Sequence, residues 1–193
     1  MSEKESVTCA PPGCLPVGCF AVVVVRNDAG QFLVVQETRK NKCLWYLPAG
    51  RVEFKESFEE AALRETKEEA GIDITLDGIL RVEFSPAKFN GKGVFCTKLR
   101  VLFLAHHHAP AQPLKTEPDE HSMQARWVSL EEAQKLPLRS NEVVQLFQWV
   151  HEQAAREALA VHPLSLLAPE GTPFSSLPSS TSSSSSSSSS WQK

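Results

Sequence analysis

Residues 50–72 read GRVEFKESFEEAALRETKEEAGI, and this stretch decides the fold of the chain. Ser57 and Glu60 have the spacing of a capping box, so a helix is predicted to start at Ser57. Gly71 follows the helical stretch, at a position where a glycine in the left-handed conformation ends many helices. The stretch is therefore expected to form a loop, a helix and a glycine stop.

Three glutamates of the predicted helix share one face. Glu65, Glu68 and Glu69 lie at positions i, i+3 and i+4, so their carboxylates project together. Like charges at this spacing cost a helix about 0.2–0.5 kcal/mol per pair. Clustered carboxylate oxygens are also the ligands that Mg²⁺ prefers, and a bound cation would reverse that cost. The spacing therefore favours a divalent-metal site over a solvated acidic face.

Two features beside the helix fit such a site. Gly50 ends a short apolar run, and glycine permits the tight backbone that a carbonyl ligand next to a metal needs. Arg64 lies eight residues after Glu56, and its guanidinium can bridge back to that carboxylate. This pair is predicted to pin the loop onto the helix, which is a structural role.

Taken together, these residues resemble the complete Nudix box. Gly50 is followed after five residues by Glu56, and after seven more by RETKEEAGI from Arg64 to Ile72. Thr66 stands where the family usually has an aliphatic residue. The resemblance implies a Nudix α/β/α sandwich and Mg²⁺-dependent hydrolysis, with Mn²⁺ as the alternative, of a nucleoside diphosphate linked to another group. It implies that Glu65, Glu68 and Glu69 are catalytic and that the metal ligands are Gly50, Glu65, Glu68 and Glu69.

Length and composition limit the classes of protein to which the chain can belong. With 193 residues, 41% of them hydrophobic, the chain can bury one good core, and a single domain is expected. The net charge of −3, without a patch of basic residues interleaved with aromatics, argues against nucleic-acid binding. No apolar run approaches about 18 residues, so no membrane span is predicted. We expect a small-molecule nucleotide as the partner and a monomer or homodimer as the assembly.

The number and spacing of the cysteines indicate the cellular compartment in which the protein folds. The chain has five cysteines, an odd number, and none lies in a C-x-x-C pair. Residues 1–13 lack the apolar stretch of a secretory signal. Free thiols and a cytoplasmic location are therefore predicted.

Apolar runs separated by turn residues predict the remaining elements. Residues 19–26 read CFAVVVVR and are expected to form a buried strand, and QFLVVQ at residues 31–36 returns as its hairpin partner. Residues 141–160 have the apolar spacing of a helix that packs on a sheet. This order predicts an α/β protein with a mixed sheet flanked by helices on both faces. The other predicted elements are strands at residues 74–85, 94–105 and 126–128 and a helix at residues 130–135.

The chain divides into three predicted parts. Residues 1–17 are rich in proline and glycine and are expected to form a flexible arm. Residues 18–161 are expected to form the Nudix domain. Residues 162–193 become rich in proline and serine, and such a segment cannot bury enough apolar surface to order itself, so a disordered tail is predicted.

Candidate substrate residues lie outside the box. Aromatic rings at Trp45 and Tyr46 either stack on a base or pack in the core. Arg51 follows the box glycine and can reach a phosphate, and Phe20 lines the base pocket by analogy with the family. Nudix enzymes often recruit one more carboxylate from a loop before the late strand, for which Asp119 and Glu120 are the candidates.

Sequence near the box narrows the choice within the family. Residues 45–51, 114–116, 122–127 and 136–139 resemble the animal branch that hydrolyses 8-oxo-dGDP and related oxidised purine nucleoside diphosphates to the monophosphate and phosphate. That activity sanitises the nucleotide pool. The alternatives are an ADP-ribose or nucleotide-sugar pyrophosphatase, and a Nudix domain that binds a nucleotide without hydrolysing it.

Overall fold

A mixed β-sheet forms the centre of the computed structural model, which describes residues 16–38, 42–89, 95–107 and 112–173. In chain order the strands and helices are β1 (Val17–Arg26), β2 (Phe32–Glu37), β3 (Trp45–Tyr46), β4 (Ala49–Arg51), α1 (Phe58–Ala70), β5 (Ile74–Phe89), β6 (Phe95–His107), β7 (Ser122–Val128), α2 (Leu130–Lys135) and α3 (Glu142–Ala155), followed by a 3₁₀ turn at Leu164–Leu167.

Strand β1 lies at the middle of the sheet. The sheet order is β3-β2-β1-β6-β5, and β1 runs parallel to β6 and antiparallel to its other neighbours. Strands β1 and β2 pair only where their hairpin begins, at Arg26 and Phe32. Beyond that point β1 pairs with β4 and β2 pairs with β7. This divergence places β4, which carries Gly50, directly beside the central strand.

Hydrophobic residues fill both sides of the sheet. Alternate residues of β1 face opposite ways, so Val23 packs with Ala61 and Ala62 of α1, whereas Val24 packs on the side of α2 and α3. On that second side Phe32 and Phe147 stack with ring centroids 4.1 Å apart. The predicted α/β architecture, a mixed sheet with helices on both faces, is confirmed.

The capping residues in the sequence predict both ends of α1 correctly. The Ser57 side chain accepts a hydrogen bond from the Glu60 N–H, and the Glu60 carboxylate accepts one from the Ser57 N–H. At the other end Gly71 has φ of 81°, the left-handed conformation that the sequence predicts.

Strands β5 and β6 are longer than their apolar runs indicate. They were predicted to end at residues 85 and 105, but they extend to Phe89 and His107. Antiparallel pairing continues beyond the apolar runs because backbone hydrogen bonds do not require apolar side chains. Conversely, α3 spans Glu142–Ala155 and not the predicted residues 141–160.

The start of the predicted tail is part of the fold. His162 and Ile79 exchange two backbone hydrogen bonds of 2.8 Å, and Leu164 and Leu167 pack against the core on the α1 side. For residues 162–173, edge pairing and a few leucines supply contacts that composition alone does not reveal. Residues 174–193 and 1–15 lie outside the described residues.

Within the described part of the chain, no helix is both long and apolar enough to cross a membrane. The cysteines that can be described there, Cys19, Cys43 and Cys96, are free thiols. Cys9 and Cys14 lie outside the described residues.

Gly78→Ala is expected to lower the free energy of unfolding by about 1–3 kcal/mol. Gly78 has φ of 152°, and a Cβ there would overlap the carbonyl oxygen of His162 and the side chain of Val161. Denaturant unfolding measures the change. Gly171→Ala is a suitable control, since a Cβ at Gly171 would meet no atom within 4 Å even though its φ is also positive, at 85°. Equal losses in the two variants would mean that backbone strain alone, and not docking of residue 162, makes Gly78 necessary.

Candidate active site

Small residues bring α1 close to the sheet. Ala61, Ala62 and Ala70 are fully buried, and so is Thr66, whose hydroxyl donates to the Ala62 carbonyl at 2.8 Å. That internal hydrogen bond satisfies the polar atom and explains why threonine fits where relatives have an aliphatic residue. Close approach of the helix then sets the neighbouring glutamates against strand β4.

Arg64 organises the start of the site. Its Nε and Nη2 bind the two oxygens of Glu56 at 2.6 and 2.9 Å, and Nη2 also donates to the Arg51 carbonyl at 2.9 Å. The side-chain hydrogen bond from Arg64 lowers the pKa of Glu56. Arg64 Nη1 donates to Glu65 at 2.9 Å and to Glu68 at 3.0 Å. One guanidinium thus joins the loop, strand β4 and two of the three clustered carboxylates.

Glu69 and Glu65 contact strand β4. The Ala49 N–H donates to Glu69 Oε2 at 2.9 Å. A Cβ at Gly50 would overlap the carboxylate of Glu65, so only glycine leaves that carboxylate in its place. Burial raises the pKa of Glu69 to about 8 and also raises that of Glu65. The protein therefore holds carboxylates where ionisation is costly unless a cation compensates.

The chemistry of these residues fits a hard divalent cation. Carboxylate oxygens and a backbone carbonyl are suitable donors, and the lack of a side chain on Gly50 lets the Glu65 carboxylate lie against this backbone. Among the described residues, no group of three or more histidine, cysteine, aspartate or glutamate side chains is arranged to hold a metal ion in this conformation. Arg64 currently holds Glu65 and Glu68, so enclosing an ion requires these side chains to change partners.

The loop before β7 fastens the end of α1. Lys115 Nζ donates to the Glu68 carbonyl at 2.9 Å, and the Ser122 hydroxyl donates to the Glu69 carbonyl at 2.6 Å. Asp119 forms an ion pair with Lys115 and accepts hydrogen bonds from the N–H groups of His121 and Ser122. These contacts satisfy carbonyls that a helix end otherwise leaves without partners.

The two predicted loop acids occupy different positions. The carboxylate of Asp119 is engaged with Lys115 and the loop amides, and Glu120 is 89% exposed. His121 of this loop also approaches the carboxylate cluster, and its Nδ1 lies 3.5 Å from Glu68 Oε2. Partial burial opposes ionisation of Asp119, but Lys115 and the two N–H donors hold its pKa at about 2.

Asp119→Asn is expected to lower the free energy of unfolding at pH 7 by about 1 kcal/mol or less, because the ion pair with Lys115 is half-exposed and screened by solvent. A depressed folded-state pKa stabilises the protein above the ordinary value near 3.8, and this contribution is lost as the pH falls toward 2. Unfolding measured at pH 7 and pH 3 should show a smaller difference between wild type and variant at pH 3. An unchanged difference would contradict this role.

A cavity of about 510 Å³ opens on the α3 side of the sheet. Its apolar wall includes Val22, Leu102 and Trp149. In the β1–β4 pairing Val22 lies opposite Ala49, the residue whose N–H binds Glu69. The paired residues Val22 and Ala49 therefore connect the cavity to the carboxylate cluster.

Charged residues form the polar wall of the cavity. Arg100 forms an ion pair with Glu83, donates from Nη1 to the Tyr46 hydroxyl at 3.4 Å, and lies 3.7 Å from Glu142. The sequence pattern does not identify Arg100, Glu83 and Glu142 as neighbours, because cross-strand pairing and the turn into α3 bring them together. The available signal was Arg100 itself, a cation directly before the apolar run at residues 101–105 of β6.

The predicted aromatic candidates are distributed around this cavity. Tyr46 lines it, whereas Trp45 is 5% exposed and has the Arg126 guanidinium 5.3 Å from its ring. Phe20 lies outside the cavity lining and is flanked by two cations, Arg51 at 5.6 Å and Lys98 at 5.7 Å from the ring centroid.

Together the sheet topology, the α1 glutamates and their arginine define a Nudix fold with an intact Nudix box. The family model of the NUDIX domain matches residues 18–158, and the chain belongs to this family.

Among curated relatives, the 8-oxo-dGDP phosphatase NUDT18 of Danio rerio is 36% identical over 146 residues, which cover 75% of this chain and 40% of the relative. The Homo sapiens protein of the same name is 32% identical over 176 residues, covering 86% and 50%. "Putative nudix hydrolase 1" of Caenorhabditis elegans is 32% identical over 131 residues, covering 65% and 33%. The matches thus span half or less of each of these relatives.

Solved structures show the same fold. A NUDIX hydrolase from Nitrosomonas europaea superimposes with a TM-score of 0.60 at 23% identity, covering 80% of this chain and 97% of that one. The Ap4A hydrolase of C. elegans, in a binary complex, superimposes with a TM-score of 0.54 at 26% identity, covering 72% and 98%.

Proposed function

We propose that the protein hydrolyses oxidised purine nucleoside diphosphates, such as 8-oxo-dGDP, to the monophosphate and phosphate in the presence of Mg²⁺ or Mn²⁺. The observation that carries this proposal is the complete set of box carboxylates, held against Gly50 beside a cavity large enough for a nucleoside. Relatives named 8-oxo-dGDP phosphatase support the substrate class. In the cytoplasm, our proposed location, this activity would sanitise the nucleotide pool.

The clustered residues have different proposed roles in hydrolysis. Glu65, Glu68, Glu69 and the Gly50 carbonyl would hold the cation. When bound, the cation would neutralise phosphate charge and make a water more nucleophilic. Arg64 keeps the glutamates in position through its contacts with the loop and with β4. Glu65 is either a ligand or the base that orients water.

The cavity supplies a place for the base. Apolar walls and the aromatic rings of Tyr46 and Trp149 suit a purine. Arg100 offers donors to a carbonyl oxygen of the base, and Glu83 or Glu142 offers acceptors to its N–H groups. Arg51, whose own carbonyl is held by Arg64, would lie near a phosphate.

The second candidate is a pyrophosphatase of ADP-ribose or nucleotide sugars. Phe20 between Arg51 and Lys98 offers a platform outside the cavity for a second polar group of such a substrate. A Nudix domain that only binds a nucleotide is disfavoured because every box carboxylate is present.

A release assay with Mg²⁺ tests these alternatives on 8-oxo-dGDP, dGDP, 8-oxo-dGTP and ADP-ribose. Preference for 8-oxo-dGDP over dGDP and over the triphosphate is the expected result. Preference for ADP-ribose would replace the proposed substrate and keep the chemistry. No turnover of any substrate by a folded protein would overturn the proposal in favour of a nucleotide sensor.

A further inference from the structure

Arg139 occupies a fixed turn between α2 and α3. The Trp45 N–H donates to the Pro137 carbonyl at 3.0 Å, and the Arg139 N–H donates to the Trp45 carbonyl at 2.9 Å. This turn therefore runs beside β3 like a short additional strand. Both the N–H and the carbonyl of Trp45 thus fix the backbone of the turn. The Arg139 side chain is 52% exposed.

The Arg139 guanidinium has two partners. Its Nη1 lies 2.7 Å from Glu37 Oε1, and its central carbon lies 4.7 Å from the centroid of the Tyr46 ring. Glu37 is 9% exposed, although it belongs to neither the box nor the predicted site. A buried carboxylate bound to a half-exposed arginine fixes the guanidinium plane and leaves its outer donors accessible.

Glu37 links this arginine to the carboxylate cluster. Strand pairing places Glu37 opposite Ser122, whose hydroxyl binds the carbonyl of Glu69. Burial is the main cause of the raised pKa of Glu69, but the charges of Glu65 and Glu37 also contribute, so Glu37 lies within electrostatic reach.

Tyr46 links the same arginine to the cavity. Its ring forms part of the cavity wall and its hydroxyl binds Arg100. Arg139 thus contacts Tyr46 of the cavity wall and also Glu37, whose charge reaches Glu69 of the carboxylate cluster. In the proposed binding mode, a phosphate that runs from the cavity towards the glutamates would come close to this guanidinium.

We propose that Arg139 binds the phosphate attached to the nucleoside and that Glu37 is a positioning residue for its guanidinium. The inference rests on the proposed function, which places the nucleoside in the cavity. In the described part of the chain, Glu37 is the hydrogen-bond acceptor of this guanidinium, through Nη1. The Nε and Nη2 donors form the fork that binds a phosphate through two parallel hydrogen bonds.

Binding to the metal-free protein tests the inference without relying on turnover. Calorimetric titrations with 8-oxo-dGMP and with 8-oxo-deoxyguanosine compare ligands that differ by the phosphate alone. Arg139→Ala is expected to weaken binding of the monophosphate about tenfold or more and to change binding of the nucleoside less than about twofold. Glu37→Gln is expected to weaken binding of the monophosphate about three- to fivefold, because the ion pair that positions the guanidinium is lost.

Arg126→Ala is the matched control. Arg126 stacks on Trp45 as Arg139 stacks on Tyr46, and both rings belong to β3. This control is expected to leave both affinities unchanged. If Arg139→Ala unfolds, Arg139→Gln removes the charge with a smaller change in packing and gives the same comparison.

Three outcomes would overturn the inference. Equal losses for both ligands in Arg139→Ala would show that Arg139 only supports Tyr46. Unchanged affinities would show that Arg139 does not contact the ligand. Failure of the wild-type protein to bind either ligand would show that the cavity is not a nucleoside site, and the inference would fall with it. That result differs from the first two outcomes, in which the wild-type protein binds and only the role of Arg139 fails.

Discussion

Glu69→Gln is expected to reduce hydrolysis about a thousandfold and to leave the metal-free protein at least as stable as wild type. Glutamine keeps the shape of the side chain and an oxygen for the Ala49 N–H, but it lacks the charge that binds a cation. Phosphate release under saturating Mg²⁺ measures the first effect. Glu59→Gln, the same change in the first turn of α1, is expected to retain turnover.

The stability of Glu69→Gln has a distinct pH dependence. Burial raises the folded-state pKa of Glu69 from 4.5 to about 8. A raised pKa gives a stabilising contribution that is full below pH 4.5 and is lost as the pH rises to about 8. Metal-free wild type should therefore lose stability between pH 5 and 8, and the variant should lose less. Parallel unfolding midpoints in EDTA would contradict the burial of this carboxylate, while retained Mg²⁺-dependent turnover would contradict the site.

Arg64→Lys is expected to lower the free energy of unfolding by about 2–3 kcal/mol and to reduce turnover about a hundredfold. One ammonium cannot reproduce a planar fork that binds Glu56 through two hydrogen bonds and also contacts Arg51, Glu65 and Glu68. These partners would lose their fixed positions even though the charge is kept.

Denaturant unfolding and phosphate release measure the two effects of Arg64→Lys. Lys67→Met is the control, since Lys67 on the same helix forms an exposed ion pair with Asp73. Removing that pair should cost less than about 1 kcal/mol. Similar costs in the two variants would mean that Arg64 is an ordinary surface cation.

Local patterns made the helix and its carboxylates predictable from sequence. A capping box, a glycine stop and the i, i+3, i+4 spacing each depend on residues within a few positions of one another. Strand β1 was equally clear because its run of valines is buried on both sides. These signals do not depend on how distant parts of the chain meet.

Long-range contacts were not predictable in the same way. Glu37 and Arg139 are 102 positions apart, and only the joint placement of β2 and the turn before α3 brings them together. Nothing near Glu37 in the sequence distinguishes it from a solvated strand end. The docking of residue 162 on Ile79 likewise depends on an available strand edge, which composition does not report.

The parallel pairing of the central strand has a consequence for biosynthesis. Strand β1 pairs with β6 from Val17 and Thr97 to Arg26 and His106, so its partner is made about 80 residues later. At ribosomal rates of about 5–20 residues per second, the valine-rich strand waits for seconds without that partner. A nascent chain with such an apolar strand exposed is prone to aggregate. Folding yield in the cell should therefore depend on chaperones that shield β1 until β6 emerges.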